Sequence, residues 1–256
     1  MIWIIAPAKS MNEHKHIAAT VYTKPIFIGE AETLIGELKK YDPVQLSSLM
    51  KISDKLSELN IVRYHRWKSI HDKVNSKRAI AYYDGEVYKQ INAEELDSRA
   101  LNFMQRHLRI ISGLYGILRP FDIIKPYRLE MGIKLKNSRG NDLYDFWREK
   151  ITDYFNEEIK EQKDDILINL SSKEYSQVID VNKFKGSIIN IIFKEYRNGK
   201  YKIIPFNAKR ARGLMVRYMS ENYIEDPEKL KDFDYGYSYN QELSTNSNWI
   251  FLKDIF

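Results

Sequence analysis

The sequence predicts an α/β fold: one mixed, partly parallel sheet flanked by helices. Three observations carry this reading. Short apolar runs bounded by turn residues recur along the chain, as in strands buried on both faces. Helical patterns fill the intervals between the runs, so successive strands need crossover connections and pair at least partly in parallel. Late in the chain, Asn198-Gly199 separates two strand-like segments, and such a pair suits a two-residue hairpin turn because both positions tolerate positive φ.

In chain order, the apolar run Met1–Ile5 reads as the first strand. Helical patterns follow at Ala31–Lys40, Val44–Met50 and Asp54–Lys68. The run Ala79–Tyr83 reads as a second strand, Glu94–His107 as a helix and Leu108–Ile111 as a third strand. Asp142–Glu161 is helical, and Ile166–Leu170 is a fourth strand. The hairpin joins Ser187–Tyr196 to Tyr201–Phe206 and makes the sheet mixed. A helix near Lys209–Glu221, the turn Asp226-Pro227, a tyrosine-rich stretch at Tyr235–Tyr239 and a last apolar strand at Trp249–Leu252 complete the chain.

At 256 residues, with 43% apolar and 30% charged residues, the composition is that of a folded protein. There is no internal repeat, low-complexity tract or Pro/Gly/Ser-rich linker, so residues 1–256 are expected to form a single domain. No window approaches 18 consecutive apolar residues, which argues against a membrane partner. The first residues lack the pattern of a secretory leader, and a cytoplasmic location is expected. The absence of cysteine excludes disulfides, thiolate metal sites, iron–sulfur clusters and a thiol nucleophile. The scattered histidines form neither HExxH nor a facial triad, and there is no GxGxxG or P-loop, so no metal site or cofactor is expected.

The net charge of +6 is unevenly distributed. Between Asn60 and Ala79, six bases face only Asp72. Between Gln105 and Arg139, eight bases face Asp122 and Glu130, and Asn207–Ser220 holds four bases and no acid. Acids gather instead at Thr152–Asp165, six against two lysines. Such segregation suggests an electropositive surface or cleft for a polyanion or phosphorylated ligand; solvated basic faces without a partner are the alternative.

In open α/β sheets, ligands bind outside the carboxyl ends of the strands. Those ends carry Lys9 after Ala6-Pro7-Ala8, the acidic turn Asp84-Gly85-Glu86, Ser112-Gly113-Leu114-Tyr115-Gly116 followed by Arg119, and Asn169-Leu170-Ser171-Ser172. Ser171 and Glu174 have capping-box spacing. Gly113 and Gly116 would let backbone amides approach a phosphate or would simply serve the loop. Arg128 and Glu130, two apart in an extended segment, share one side, where they pair with each other or grip a polar ligand.

Two basic elements stand out. Lys209, Arg210 and Arg212 open a helix, where cations oppose the macrodipole and an anionic partner would relieve that cost. Over residues 30–68, Asp42 as N-cap, Pro43 and Gln45 start one helix strongly. Ser53 can cap the next. The pair resembles a helix-hairpin-helix, a module that offers turn amides and cations to DNA phosphates without reading bases. Lys51 and Lys55 flank its turn, which lacks the usual glycine, and Arg63 and Arg66 lie beyond. An ordinary packed helix pair is the other reading.

Several stretches together resemble the YaaA family of bacterial peroxide-stress proteins: Ala6-Pro7-Ala8-Lys9, Met50 through Leu56 with Leu59-Asn60 and Arg63-Tyr64, and Asp84 through Tyr88. So do Ser112 through Pro120 with Asp122, Pro126 through Gly132, Asn169 through Ser172 with Glu174-Tyr175, and Lys209 with Ala211 through Met215. The match runs from residue 6 to about 220 and is looser over the last 35 residues. The resemblance implies a single α/β domain of the family's own type with a helix-hairpin-helix-like element and a positive cleft. It also implies DNA binding and a role in limiting damage from peroxide and intracellular iron.

The leading expectation is a DNA-binding stress protein whose phosphate contacts are Lys51, Lys55, Arg63, Arg66, Lys209, Arg210 and Arg212. The rival is an enzyme acting on a nucleotide, nucleobase or other small anion. Its pocket would comprise Lys9, Ser112, Gly113, Tyr115, Arg119, Arg128, Glu130, Asn169, Ser171, Lys209 and Arg212. There Lys9 would act as nucleophile or electrostatic stabiliser and Glu130 as acid or base, with Ser112 the third catalytic candidate. An interaction module with neither activity is the remaining reading.

Overall fold

The computed structural model describes residues 1–18, 21–72, 75–162 and 164–254. The first half of the chain runs β1 (Ile2–Ile5), β2 (Ser10–Met11), α1 (Ile28–Leu38), α2 (Pro43–Met50), α3 (Asp54–Arg66), β3 (Lys77–Arg78), α4 (Ala79–Tyr82), β4 (Tyr83–Asp84), α5 (Glu86–Ile91) and α6 (Ser98–His107). Next come β5 (Leu108–Ser112), β6 (Gly116–Leu118), β7 (Ile123–Ile124), α7 (Leu143–Gln162), β8 (Ile166–Asn169) and α8 (Lys173–Ser176). The chain closes with β9 (Ser187–Arg197), β10 (Lys200–Lys202), α9 (Pro205–Glu221), a 3-10 turn at Pro227–Asp232, β11 (Ser238–Thr245) and β12 (Asn248–Lys253).

The main sheet has the order β11-β12-β9-β8-β1-β5-β6, with β10 also paired to β9. Its centre, from β12 through β5, is parallel, and the β11, β10 and β6 pairings are antiparallel. The sheet is therefore mixed and flanked by helices, as the sequence predicts. β1 and β5 are buried along their whole length, which explains the unbroken apolar sequence of β1 and the mostly apolar one of β5, where Arg109 and Ser112 are buried with partners. β9 instead alternates, covering only one face. Asn169, Asn190 and Asn248 stand abreast on β8, β9 and β12 and hydrogen-bond in series at 2.8 and 3.1 Å, which pins the register there.

Three local expectations are corrected. Ala79–Tyr83 is not a sheet strand. It is one buried helical turn, α4, whose flanking pairs β3–β7 and β4–β2 lie outside the main sheet. A short run buried on every side has no period to tell a strand from a helix. The segment Tyr201–Phe206 is a strand only to Lys202, because Pro205 opens α9 at its first turn. Lys209, Arg210 and Arg212 thus lie beyond the first turn, where the macrodipole has largely faded. The Ser171–Glu174 capping box does not form: α8 is capped at Ser172, and Glu174 instead accepts the Gly132 amide at 3.1 Å.

The α2 start does form its capping box, with Gln45 N donating to Asp42 at 2.8 Å and Asp42 N to Gln45 at 3.1 Å. The turn that lacks glycine places Lys51 in the left-handed region at φ 52°. Ser53 stands at the N-cap of α3 without a side-chain bond. Among the described residues, no helix is long and apolar enough to cross a membrane.

Candidate functional site

At the C-terminal edge of the parallel strands the chain folds three loops and a helix around a cleft of about 290 Å³. After β1, Ala6–Ser10 forms one wall, held by the Tyr88 hydroxyl donating to the Ala6 carbonyl at 3.0 Å. The β2–β4 pairing brings Asp84 opposite Ser10 and adds Gly85, Glu86 and Tyr88. After β8, the Leu170 amide donates to Ile4 at 2.9 Å, so Ser172, Glu174 and Tyr175 follow β1 into the cleft. α9 supplies Lys209 and Arg212. It lies so close to α5 that a Cβ on Gly213 would stand 2.2 Å from the Val87 carbonyl oxygen, so only glycine permits this approach.

The charges here are unequally matched. Lys9 Nζ lies 3.4 Å from Glu130 Oε1, and the same oxygen accepts from Arg128 at 2.7 Å. The other oxygen of Glu130 and Nε of Arg128 are buried without hydrogen-bond partners. Asp84 is matched by Lys15 at 3.2 Å, and Glu86 by Lys89 at 3.4 Å and Arg210 at 4.0 Å. Arg212 has no acid within ion-pair distance among the described residues. Its Nε is buried without a partner, and burial pushes the guanidinium below its ordinary pKa. Lys209 is exposed and likewise has no acid partner among the described residues. Across the cleft and its ion-pair partners, seven bases (Lys9, Lys15, Lys89, Arg128, Lys209, Arg210, Arg212) face four acids (Asp84, Glu86, Glu130, Glu174). An anion entering the cleft would satisfy the unpartnered guanidinium and reduce that imbalance.

Lys9, Arg128, Glu130, Lys209 and Arg212 are thus gathered at or beside the cleft. Other expected residues lie elsewhere. Ser112 is fully buried; its oxygen accepts from the Leu114 and Tyr115 amides at 3.3 and 3.0 Å, and it contacts the Tyr127 hydroxyl at 2.6 Å. Tyr115 is equally buried, bonded to Trp67, His71 and the Lys125 amide. Gly113 and Gly116 have steric reasons for being glycine. A Cβ on Gly113 would come within 2.3 Å of the Leu129 carbonyl oxygen, and one on Gly116, at φ +68°, within 2.6 Å of the Trp147 ring. Asn169 and Ser171 bond to each other in the turn after β8. Arg119 is carried away because β6 returns antiparallel to β5, which places it at the opposite edge of the sheet, paired with Asp122 at 3.3 Å.

On the helix pair, Lys51, Lys55 and Arg66 are exposed, and Arg63 is half-buried near Asn60 at 3.5 Å. The Tyr64 hydroxyl donates to the Arg128 carbonyl, so the C-terminal part of α3 abuts the Arg128–Glu130 segment. Lys51 and Lys55 lie at its other end, about 20 Å along a 13-residue helix. Glu86, Tyr88, Glu174 and Tyr175 line the cleft but were not selected from the sequence. All four fall inside family-like stretches; Glu86 lies in the acidic turn noted at a strand end, and nothing in the local pattern of the other three marks them as cleft residues.

Larger hollows of about 590 and 550 Å³ lie beside α1–α2 and at the opposite sheet edge. Their charges are largely matched in pairs such as Lys40–Glu37 and Arg109–Glu158. Among the described residues, no three His, Asp or Glu side chains converge as a metal set would.

Fold and cleft together define an α/β protein whose strand ends converge on a cation-rich hollow. The chain belongs to the YaaA peroxide stress protein family, whose sequence profile matches residues 1–243. It is 42% identical over 254 residues to a UPF0246 protein of Neisseria meningitidis serogroup B and 43% identical over 254 residues to a UPF0246 protein of Tolumonas auensis. Each alignment covers 99% of this chain and 98% of the relative.

Proposed function

We propose that this peroxide-stress protein binds DNA through its phosphate backbone, largely without sequence preference, and thereby limits peroxide and iron damage to it. The observation that carries the reading is Arg212, half-buried at the cleft beside Lys9 and Lys209, with its Nε buried without a partner and no acid partner among the described residues. The cleft admits a single phosphate or nucleotide, and the exposed cations of α2–α3 extend the track along the backbone. Phosphate contacts position a protein on DNA without reading sequence. If about five phosphates are neutralised, the logarithm of the duplex binding constant falls against the logarithm of salt concentration with a slope of about −4 to −5. Fluorescence anisotropy across a salt series measures it, and a slope near zero removes the proposal.

A second reading has its own observation, the pairing of Lys9 with Glu130 at 3.4 Å. Here the cleft is the active site of an enzyme for a small anionic substrate, with Lys9 as nucleophile or electrostatic stabiliser and Glu130 as acid or base. Lys9→Ala and Glu130→Gln separate the two. Lost peroxide resistance with intact DNA affinity supports the enzyme, and parallel loss supports the binder.

A further inference from the structure

Beneath the cleft lies a group of side chains that neither reading uses. Tyr88, at the cleft wall, has its ring 5.2 Å from that of Tyr83 (centroid to centroid), Tyr83 lies 6.5 Å from Tyr127, Tyr127 5.3 Å from Tyr115, and Tyr115 6.4 Å from Trp67. All five residues are buried. The tyrosine hydroxyls are tied into buried hydrogen bonds, and those bonds by themselves do not require the rings to form an unbroken file of easily oxidised groups. Their hydroxyls are also ordered. Ser112 has both lone pairs occupied by amide donors, so its hydrogen points to Tyr127, whose hydroxyl is hydrogen-bonded in turn to that of Tyr83.

The far end of the file has a defined proton acceptor. The Tyr115 oxygen accepts from Trp67 Nε1 at 3.0 Å and from the Lys125 amide at 3.1 Å. With both lone pairs occupied, its own hydrogen must go to its remaining neighbour, His71 Nε2, at 3.0 Å. In that arrangement His71 accepts at Nε2 as a neutral imidazole, and its Nδ1 is buried without a hydrogen-bond partner. Burial and the nearby Lys125 charge favour that neutral form.

We propose that the file from Tyr88 to Trp67 carries one-electron oxidising equivalents inward from the cleft and holds them as a neutral radical at the Tyr115–His71 pair. The oxidant is hydroxyl radical derived from peroxide. It takes one electron from Tyr88 and becomes hydroxide. The electron vacancy moves through Tyr83 and Tyr127 as each ring gives an electron to the one before it. When Tyr115 gives up its electron, its phenolic proton passes to His71 Nε2, leaving a neutral tyrosyl radical and an imidazolium. A soluble thiol or ascorbate supplies one electron, the proton returns from His71, and the pair is restored. A cleft guarded in this way removes radicals where a bound nucleic acid would otherwise be attacked. The radical chemistry is independent of whether an anion binds.

The absence of cysteine makes the test clean. Ser10→Cys, on the exposed cleft rim, gives a unique thiol for a ruthenium polypyridyl photo-oxidant. Flash oxidation of the label, followed by electron paramagnetic resonance, is expected to show a neutral tyrosyl radical. Its Tyr115 component should be lost in Tyr83→Phe and Tyr115→Phe and unchanged in Tyr154→Phe, which lies off the file. His71→Gln, which keeps an acceptor but not the base, should abolish the neutral radical at Tyr115. Where a variant fails to fold, peptide mapping of oxidised residues in the labelled protein with an unaltered core decides: products at Tyr115 and Trp67 support the file. Products confined to Tyr88, or a radical indifferent to Tyr83→Phe and Tyr115→Phe, overturn it.

Discussion

The two ends of the parallel strands use the same kinds of side chain in opposite ways. At the N-terminal end, Arg109 donates to Glu158 at 2.5 and 3.1 Å and to the Tyr154 hydroxyl at 2.8 Å, while Asp122 receives Arg119 and its amide. At the C-terminal end, Arg212 is also buried in large part but has no acid partner among the described residues. The cost of removing a guanidinium from water arises at both ends. At one it is offset within the fold. At the other nothing among the described residues offsets it, and that difference is the basis for proposing an anion there.

The largest effect that could break this contrast is on stability. Arg109→Ala strands the Glu158 carboxylate in the interior, and losing one member of a buried pair costs about 3–5 kcal/mol. Urea denaturation measures the loss. Arg212→Met in the same assay is expected to leave stability unchanged or higher, because it removes a buried charge that nothing in the fold offsets. If it destabilised as much as Arg109→Ala, Arg212 would have a partner in the fold and the contrast would fail.

Acid should act next, at the paired end and in the tyrosine file. Burial alone would raise the pKa of Glu158, but the hydrogen bond and charge of Arg109, with Tyr154 and Gln162, outweigh it and hold the carboxyl below its ordinary value. A carboxyl lowered in the folded state contributes stability above its ordinary pKa of about 4.5, and this is lost as pH falls through the folded value. His71, lowered to about 4 by burial and by Lys125, acts in the same direction but in a higher window. The unfolded chain takes up that proton as pH falls below about 6.5, and the folded chain does not until about 4. Denaturation midpoints should therefore fall in both windows, and His71→Gln should reduce the slope in the upper one, where burial also lowers His107, without changing the lower.

A smaller effect belongs to binding. Arg212→Met should weaken duplex DNA about tenfold, or about 1.4 kcal/mol, and lower the salt slope by about one. Unchanged affinity and slope would leave the unpaired guanidinium without an external partner.

How much of this contrast was legible in the sequence depended on the kind of information each residue carries. The buried strands were visible because β1 is apolar over its whole length and β5 and β8 are mostly so. The helix pair was visible because Asp42, Pro43 and Gln45 encode its start locally. The strand-end rule pointed to Lys9, whereas Arg128 with Glu130 and Lys209 with Arg212 were singled out as a charged pair and a basic helix start, and the structure places them beside Lys9. Arg119 escaped that rule because its position depends on β6 turning back, a pairing that no local pattern announces. Ser112 and Tyr115 occupied a strand-end loop that faces inward, and burial of a loop is set by what packs over it. Above all, the sequence does not say which cations find acids. Arg109 meets Glu158 across 49 residues, and Arg212 meets none among the described residues.

The smallest effect sharpens the contrast inside the cleft itself. Lys9 and Arg128 share one oxygen of Glu130, but the Lys9 side chain is 67% exposed and that of Arg128 only 16%. Water screens the first pair, so a double-mutant cycle of Lys9→Ala and Glu130→Gln should give a coupling of at most about 1 kcal/mol. The Arg128–Glu130 cycle should give a larger value, since little solvent competes for that bond. Lys9 is then held loosely enough to leave Glu130 for an arriving anion, whereas Arg128 stays to fix the carboxylate. Equal couplings in the two cycles would mean that Lys9 is a fixed part of the cleft wall, and Arg212 and Lys209 would be its only cations available to a ligand.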